Sequence, residues 1–250
     1  MTELFLRLFV KTAALTDDPR TRAAIGKLSG AVGIVCNLLL AAGKMTAGVL
    51  SGSVSITADA LNNLSDAASS IVPLLGFKLA EKPADTHHPY GHARFEYLSG
   101  LAVAVLILFI GFELAKTSVS RIITPAAVEF SLVTLLVLAV SIAVKLWMFL
   151  FNRKLGKLIG STALAATAAD SRNDCLATGA VLAAAVIAHF THWQIDGWMR
   201  LGVALFILYS GWNLARETIS PLLGEAADPA LRQLIVDYIE DCPKGWATTT

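Results

Sequence analysis

Two acidic runs stand inside otherwise apolar sequence: Asp59-Ala60-Leu61-Asn62-Asn63-Leu64-Ser65-Asp66 and Asp170-Ser171-Arg172-Asn173-Asp174. On a helix, at about 100° per residue, Asp59, Asn62 and Asp66 share one narrow face and Asn63 is turned away from it. Asp170 and Asp174, one turn apart, share another face, with Arg172 pointing elsewhere. Three carboxylates and one amide brought together repel unless they are protonated or hold a cation. Oxygen-only ligands suit hard divalent ions such as Mn²⁺, Fe²⁺, Mg²⁺ or Ca²⁺ better than copper. The competing reading is a set of polar ties between helices, or an ion pair from Arg172 to one Asp. A third run, Asp85-Thr86-His87-His88-Pro89-Tyr90-Gly91-His92-Ala93-Arg94-Phe95-Glu96, gathers imidazoles and carboxylates in one connection. It reads either as a chelating loop or as a plain solvated one.

The elements that must position these groups follow from composition. Of 250 residues 55% are hydrophobic and 16% charged, with a formal net charge of +1. An average soluble domain carries about 25% charge, so this chain is neither disordered, nor fibrous, nor a basic nucleic-acid module. Cys36, Cys175 and Cys242 are too far apart for a disulfide framework or zinc-finger spacing. Near-continuous apolar stretches cover residues 31–50, 55–79, 98–118, 130–151, 162–190 and 198–223. Each is about 20 residues or longer, enough to cross ~30 Å of hydrocarbon as a helix, and lipid admits no unpaired backbone. The expectation is an all-α membrane protein with six transmembrane helices.

Lys and Arg cluster in the N-terminal segment (Arg7, Lys11, Arg20, Arg22, Lys27), the second connection (Lys78, Lys82, Arg94) and the fourth (Arg153, Lys154, Lys157). The odd connections are nearly bare, which places both termini in the cytoplasm. His189, His192, Trp193 and Trp198 then form an outer interfacial belt. Asn62 and Asp66 lie as far in from the outer end as Asp170 and Asp174 do from the inner end. Antiparallel helices bring all four to one level near mid-bilayer, where carboxylates are costly without a function. Residues 1–30 read as a cytoplasmic lead-in, with an amphipathic stretch over 1–15 and no cleavable leader. Residues 31–223 form the membrane domain, and 224–250 a linker and first helix (230–240, capped by Asp228) of a cytoplasmic domain. The pattern Gly111-Phe112-Glu113-Leu114-Ala115-Lys116 through Ser120 returns as Gly211-Trp212-Asn213-Leu214-Ala215-Arg216 through Ser220. With Lys44 and Lys145 at matching places in the first and fourth spans, this suggests a 3+3 inverted repeat; chance recurrence of small apolar residues is the alternative.

Lys44 and Lys145 snorkel or pair with the site carboxylates. Glu113 and Lys116 form an ion pair. Asn37 faces the site or another helix, and Cys175 packs. No enzyme motif is present. A membrane di-iron oxygenase needs more imidazoles than the five here, and neither His-Glu-x-x-His nor Gly-x-Ser-x-Gly occurs. A passive channel or a metal sensor remains as a rival to a carrier.

The run from Gly52 to Asp66, the run from His88 to Glu96, and Asp170 with Asp174 together resemble the cation diffusion facilitator family over residues 23–240. The resemblance implies a homodimeric, proton-coupled exporter of divalent metal from the cytoplasm through the cell membrane, with no cofactor. Its transport site maps to Asn62, Asp66, Asp170 and Asp174. Zinc-transporting members place a histidine in this quartet; none is present, and the pattern resembles the manganese-type branch, with Fe²⁺ and Zn²⁺ as further cargoes. A second metal position of the family maps to Asp85, His88 and His92. The family's ferredoxin-like cytoplasmic domain is represented by its first helix only.

Overall fold

A computed structural model of the chain describes residues 19–51, 54–124, 132–191, 195–224 and 229–240. Among the described residues there are eight helices and no strand. They are α1 (Pro19–Ser51), α2 (Val54–Ser69), α3 (Ile71–Ala80), α4 (Arg94–Ile123), α5 (Leu132–Ile159), α6 (Thr162–Thr191), α7 (Asp196–Leu223) and α8 (Pro229–Glu240). The lead-in over 1–15, the Asp228 cap, His192, Trp193 and Cys242 lie outside the described residues, as does the His189 side chain. By length and composition α1, α4 and α5 suffice to cross a membrane. Large apolar side chains such as Leu39, Leu50, Phe109, Leu136 and Val140 point away from the bundle. So wide an apolar exterior marks a surface that meets something other than water.

The second apolar stretch, expected as one helix over 55–79, is two segments broken at Ser70. The cause is Pro73, which has no N–H for the carbonyl four residues back and whose ring crowds it. The break is heavily bonded: the Asp66 carbonyl accepts from the Ser70 amide (3.0 Å), the Ser70 hydroxyl (2.8 Å) and the Ser69 hydroxyl (3.0 Å). Between α5 and α6 the chain reverses in two residues. Gly160 takes the left-handed conformation (φ 57°) that closes a helix, and the Ser161 hydroxyl accepts from the Leu164 amide (3.3 Å) to open the next.

Lipid offers little hydrophobic reward for joining apolar helices, so close approach and polar ties decide the packing. Along α1, Gly26 faces the Phe77 ring and Gly30 faces Leu74, while Gly48 faces Thr57 near the other end, so α1 runs antiparallel to α2 and α3. Polar ties hold α1 at several levels. Arg22 bonds Glu96 of α4 (3.0 Å) and the Ile159 carbonyl of α5; Ser29 donates to Asn152 (2.7 Å), and Asn37 to Ser70 (3.4 Å). Asn37 therefore serves helix-to-helix bonding.

The most extensive helix pair is α4 with α7. Gly111 lies against Ile207 and Leu208, and Gly211 lies against Ile107 and Leu108. The contacts are reciprocal and antiparallel. Ser118 and Thr218, both fully buried, bond back to Leu114 and Leu214 respectively. The glycines of the sequence echo thus make reciprocal contacts across this helix pair.

A Cβ on Gly26 would sit 2.2 Å from the Phe77 ring, whereas one on Gly43 meets nothing within 4 Å. Gly26→Ala should cost roughly 1–3 kcal/mol by overpacking, and Gly43→Ala should be neutral or stabilising by helix propensity. Thermal unfolding in detergent reads the difference as a lowered Tm for the first alone.

Candidate metal centre

Three helices meet at one charged point. Lys145 of α5 donates to Asp66 Oδ2 of α2 at 2.7 Å and to Asp174 Oδ2 of α6 at 2.5 Å. The lysine side chain is 6% exposed and the two carboxylates 15% and 23%. Asp170, one turn from Asp174, lies in the electrostatic reach of Asp66, Asp174 and Lys145. The antiparallel α5–α6 turn brings Lys145 level with Asp174, and the α1–α2 contact holds Asp66 there. Unpaired, any of these charges would be expensive among apolar neighbours.

The fourth expected ligand is placed differently. The buried face of α2 carries Ile56, Ala60, Asn63 and Ala67. At about 100° per residue Asn62 lies roughly 120° from the centre of that face, and it is exposed. Asn63, expected to be turned away, is the buried amide. It accepts from Lys44 (2.6 Å), and its Nδ2 reaches Asp66 Oδ2 at 3.5 Å. Lys44 is also paired with Asp59 at 2.7 Å. Both intramembrane lysines thus pair with acidic residues of the motifs. The reason for the rotation is packing: the small residues Ala60 and Ala67 flank Asn63 on the side that approaches other helices. That stripe was the available pointer to Asn63. It sits in the same run as the acidic residues, whose one-face alignment drew the eye to Asn62.

Arg172 pairs with none of these carboxylates. It reaches Ser210 (2.5 Å) and Asn173 (3.4 Å) and lies over the Phe206 ring at 5.0 Å. The ion pair between Arg172 and an Asp is therefore not formed, and the acidic cluster keeps Lys145 as its partner. Cys175 packs toward the Ile142 carbonyl at 4.0 Å, and Glu113 pairs with Lys116 at 3.6 Å on an exposed face.

The connection between α3 and α4 brings Asp85, His88 and His92 together, one ligand atom from each within 4.8 Å of the others. Asp85 meets His88 Nδ1 at 3.3 Å and His92 Nε2 at 3.5 Å. The His88 and His87 amides donate to Asp85 Oδ1 at 2.6 and 3.0 Å, and the first of these chiefly holds its carboxyl below the usual carboxylate range. His92 Nδ1 is 3.1 Å from the Pro83 carbonyl, a contact that requires the proton on Nδ1 and turns Nε2 toward Asp85 as the ring's metal-binding nitrogen. Exposure of Asp85 and His88 gives solvent access.

Asn62 and Asn63 separate by experiment. Asn63→Ala removes a buried acceptor from Lys44 and should cost roughly 1–3 kcal/mol. Asn62→Ala, at an exposed position, should stay within about 0.5 kcal/mol. Thermal unfolding in detergent measures both. Equal losses would contradict the helix orientation.

Residues 31–223 match the cation efflux transmembrane domain model. An uncharacterized transporter of Methanocaldococcus jannaschii is 33% identical over 202 residues, covering 81% of this chain and 71% of the relative. The cation-efflux pump FieF of Cronobacter sakazakii is 31% identical over 219 residues, 88% of this chain and 73% of the relative. The manganese efflux system protein MneS of Bacillus subtilis is 28% identical over 193 residues, 77% of this chain and 67% of the relative. Since the family model runs from within α1 to the end of α7, and takes in both acidic runs, the chain belongs to the cation efflux family: it is a multi-pass membrane transporter and not an enzyme.

Proposed function

We propose that the chain exports a divalent metal ion, Mn²⁺ before Fe²⁺ or Zn²⁺, from the cytoplasm across the plasma membrane in exchange for protons. The observation that carries this reading is the convergence of Asp66 and Asp174 from two helices on one cation position, with Asp170 one turn from Asp174 on α6. Carboxylate oxygens favour hard divalent ions over softer ones. A manganese efflux protein among the relatives supports the same order of preference.

In this account the residues act by alternating access. Facing the cytoplasm, Asp66, Asp170 and Asp174 lose protons and take the metal, with Asn62, about 40° from Asp66 around the α2 axis on its exposed side, and water completing the shell. Facing outward, protons compete for the same oxygens and release it. Mutual repulsion among the carboxylates is relieved by either cation, which couples the two flows. Six crossings, with α2 and α3 as one broken span and both termini cytoplasmic, fit the helix order and the lysine and arginine distribution. The reciprocal α4–α7 contact supports a 3+3 inverted repeat. The Asp85–His88–His92 cluster forms a second metal position on the cytoplasmic side. The exposed apolar residues of α8, Leu234, Ile235 and Tyr238 among them, suit a helix that packs into a cytoplasmic domain of a homodimer.

Inside-out vesicles carrying the protein should take up Mn²⁺ when an outwardly directed proton gradient is imposed. Asp174→Ala should reduce that uptake to the level of protein-free vesicles. Undiminished uptake by the variant would contradict the site. Flux indifferent to the gradient would replace exchange with a passive channel.

A further inference from the structure

The acidic cluster already holds a cation that belongs to the chain. Building on the carboxylate site proposed above, we propose that Lys145 is a tethered competitor of the transported ion: its ammonium takes the metal position between Asp66 and Asp174 when the carrier has released its cargo, and must leave when the next ion enters.

Geometry is the first argument. Lys145 Nζ stands 2.7 Å from Asp66 Oδ2 and 2.5 Å from Asp174 Oδ2. A divalent ion bound by the same two oxygens would occupy nearly the same point, so the two cations exclude each other.

Charge accounting is the second. Lys44 is committed to Asp59 and Asn63, and Arg172 to Ser210, Asn173 and the Phe206 ring. Lys145 alone among the described residues forms an ion pair with Asp66 and Asp174. Its side chain is buried, and its bonds run to two other helices and not along its own.

The third argument is the side chain itself. A compact ammonium on a four-carbon stem can swing out of the pocket without moving α5, which a shorter or more rigid cation cannot do.

Two consequences follow. The apparent metal affinity is lowered by the fraction of time the ammonium occupies the site; residence for about nine-tenths of the time weakens binding about tenfold. In return, the unloaded carrier reorients with the ammonium compensating one charge of the Asp66–Asp174 pair inside a low-dielectric bundle, the returning protons compensating the rest. Lys145 is thus a positioning residue for the return step and a brake on affinity.

The test is Mn²⁺ titration calorimetry on the purified full chain, with transport in proteoliposomes, for wild type, Lys145→Gln, Lys145→Arg and Asp174→Asn. Lys145→Gln should bind Mn²⁺ about tenfold more tightly, and should keep Mn²⁺/Mn²⁺ exchange while losing net efflux. Lys145→Arg, whose planar fork grips two carboxylates at once, should bind Mn²⁺ more weakly than wild type. Shifts in the same direction, or no shift in either variant, would overturn the proposal, as would loss of exchange together with net efflux in a folded Gln variant. Should Lys145→Gln fail to elute as a folded species, the Arg variant decides, and unaltered Mn²⁺ affinity there rejects the idea. Wild-type binding by Asp174→Asn would reject the carboxylate site itself. Lost binding by Asp174→Asn, beside Lys145 variants that behave like wild type, would reject only the role of Lys145.

Discussion

A lysine held between carboxylates from two other helices is the constraint around which the bundle is arranged. Breaking such a buried pair by removing one partner costs roughly 3–5 kcal/mol, because the remaining charge stays stranded away from water. Lys145 on α5 therefore ties the level of Asp66 on α2 to that of Asp174 on α6. The surrounding architecture serves that point. The two-residue turn at Gly160 and Ser161 sets the register of α5 against α6, and the Pro73 break lies directly after the residues that bond the Asp66 carbonyl.

The rest of the molecule separates scaffold from site. The α4–α7 pair is joined by glycines facing branched side chains in reciprocal fashion, with the Ser118 and Thr218 hydroxyls bonded back to the preceding turn. It has the character of a rigid frame. The helices that carry ionised groups are tied to one another through side chains, from Asp59 through Lys44 and Asn63 to Asp66, Lys145 and Asp174. A network linked by long flexible lysines can exchange partners at small cost in packing, which a wall of interlocked Ile, Leu and Gly cannot.

Much of this was legible in the residues. Apolar length located the helices, because a span in lipid must satisfy its own backbone. The acidic runs stood out because each carboxylate in that setting needs a partner. The echo at Gly111 and Gly211 pointed to the helix pair that proved most intimately packed. What escaped was rotation about a helix axis. Placing Asp59, Asn62 and Asp66 on one face was sound as geometry, but which face turns inward is decided by neighbours, here by Ala60 and Ala67 with Asn63 between them. The break at Ser70 was written in Pro73, whose effect was submerged in a continuous apolar stretch. The choice of Ser210 and Phe206 by Arg172 depends on α7, remote in sequence, and had no local trace.

In the proposed mechanism Asp66, Asp170 and Asp174 together hold the transported ion. Anomalous scattering from crystals of the full chain loaded with Mn²⁺ tests it most directly. One strong peak is expected within roughly 2.0–2.6 Å of carboxylate oxygens from both α2 and α6, with the Lys145 ammonium displaced from between them. Manganese bound only at the Asp85–His88–His92 loop or elsewhere on the surface, with the Lys145 pairs intact, would contradict it.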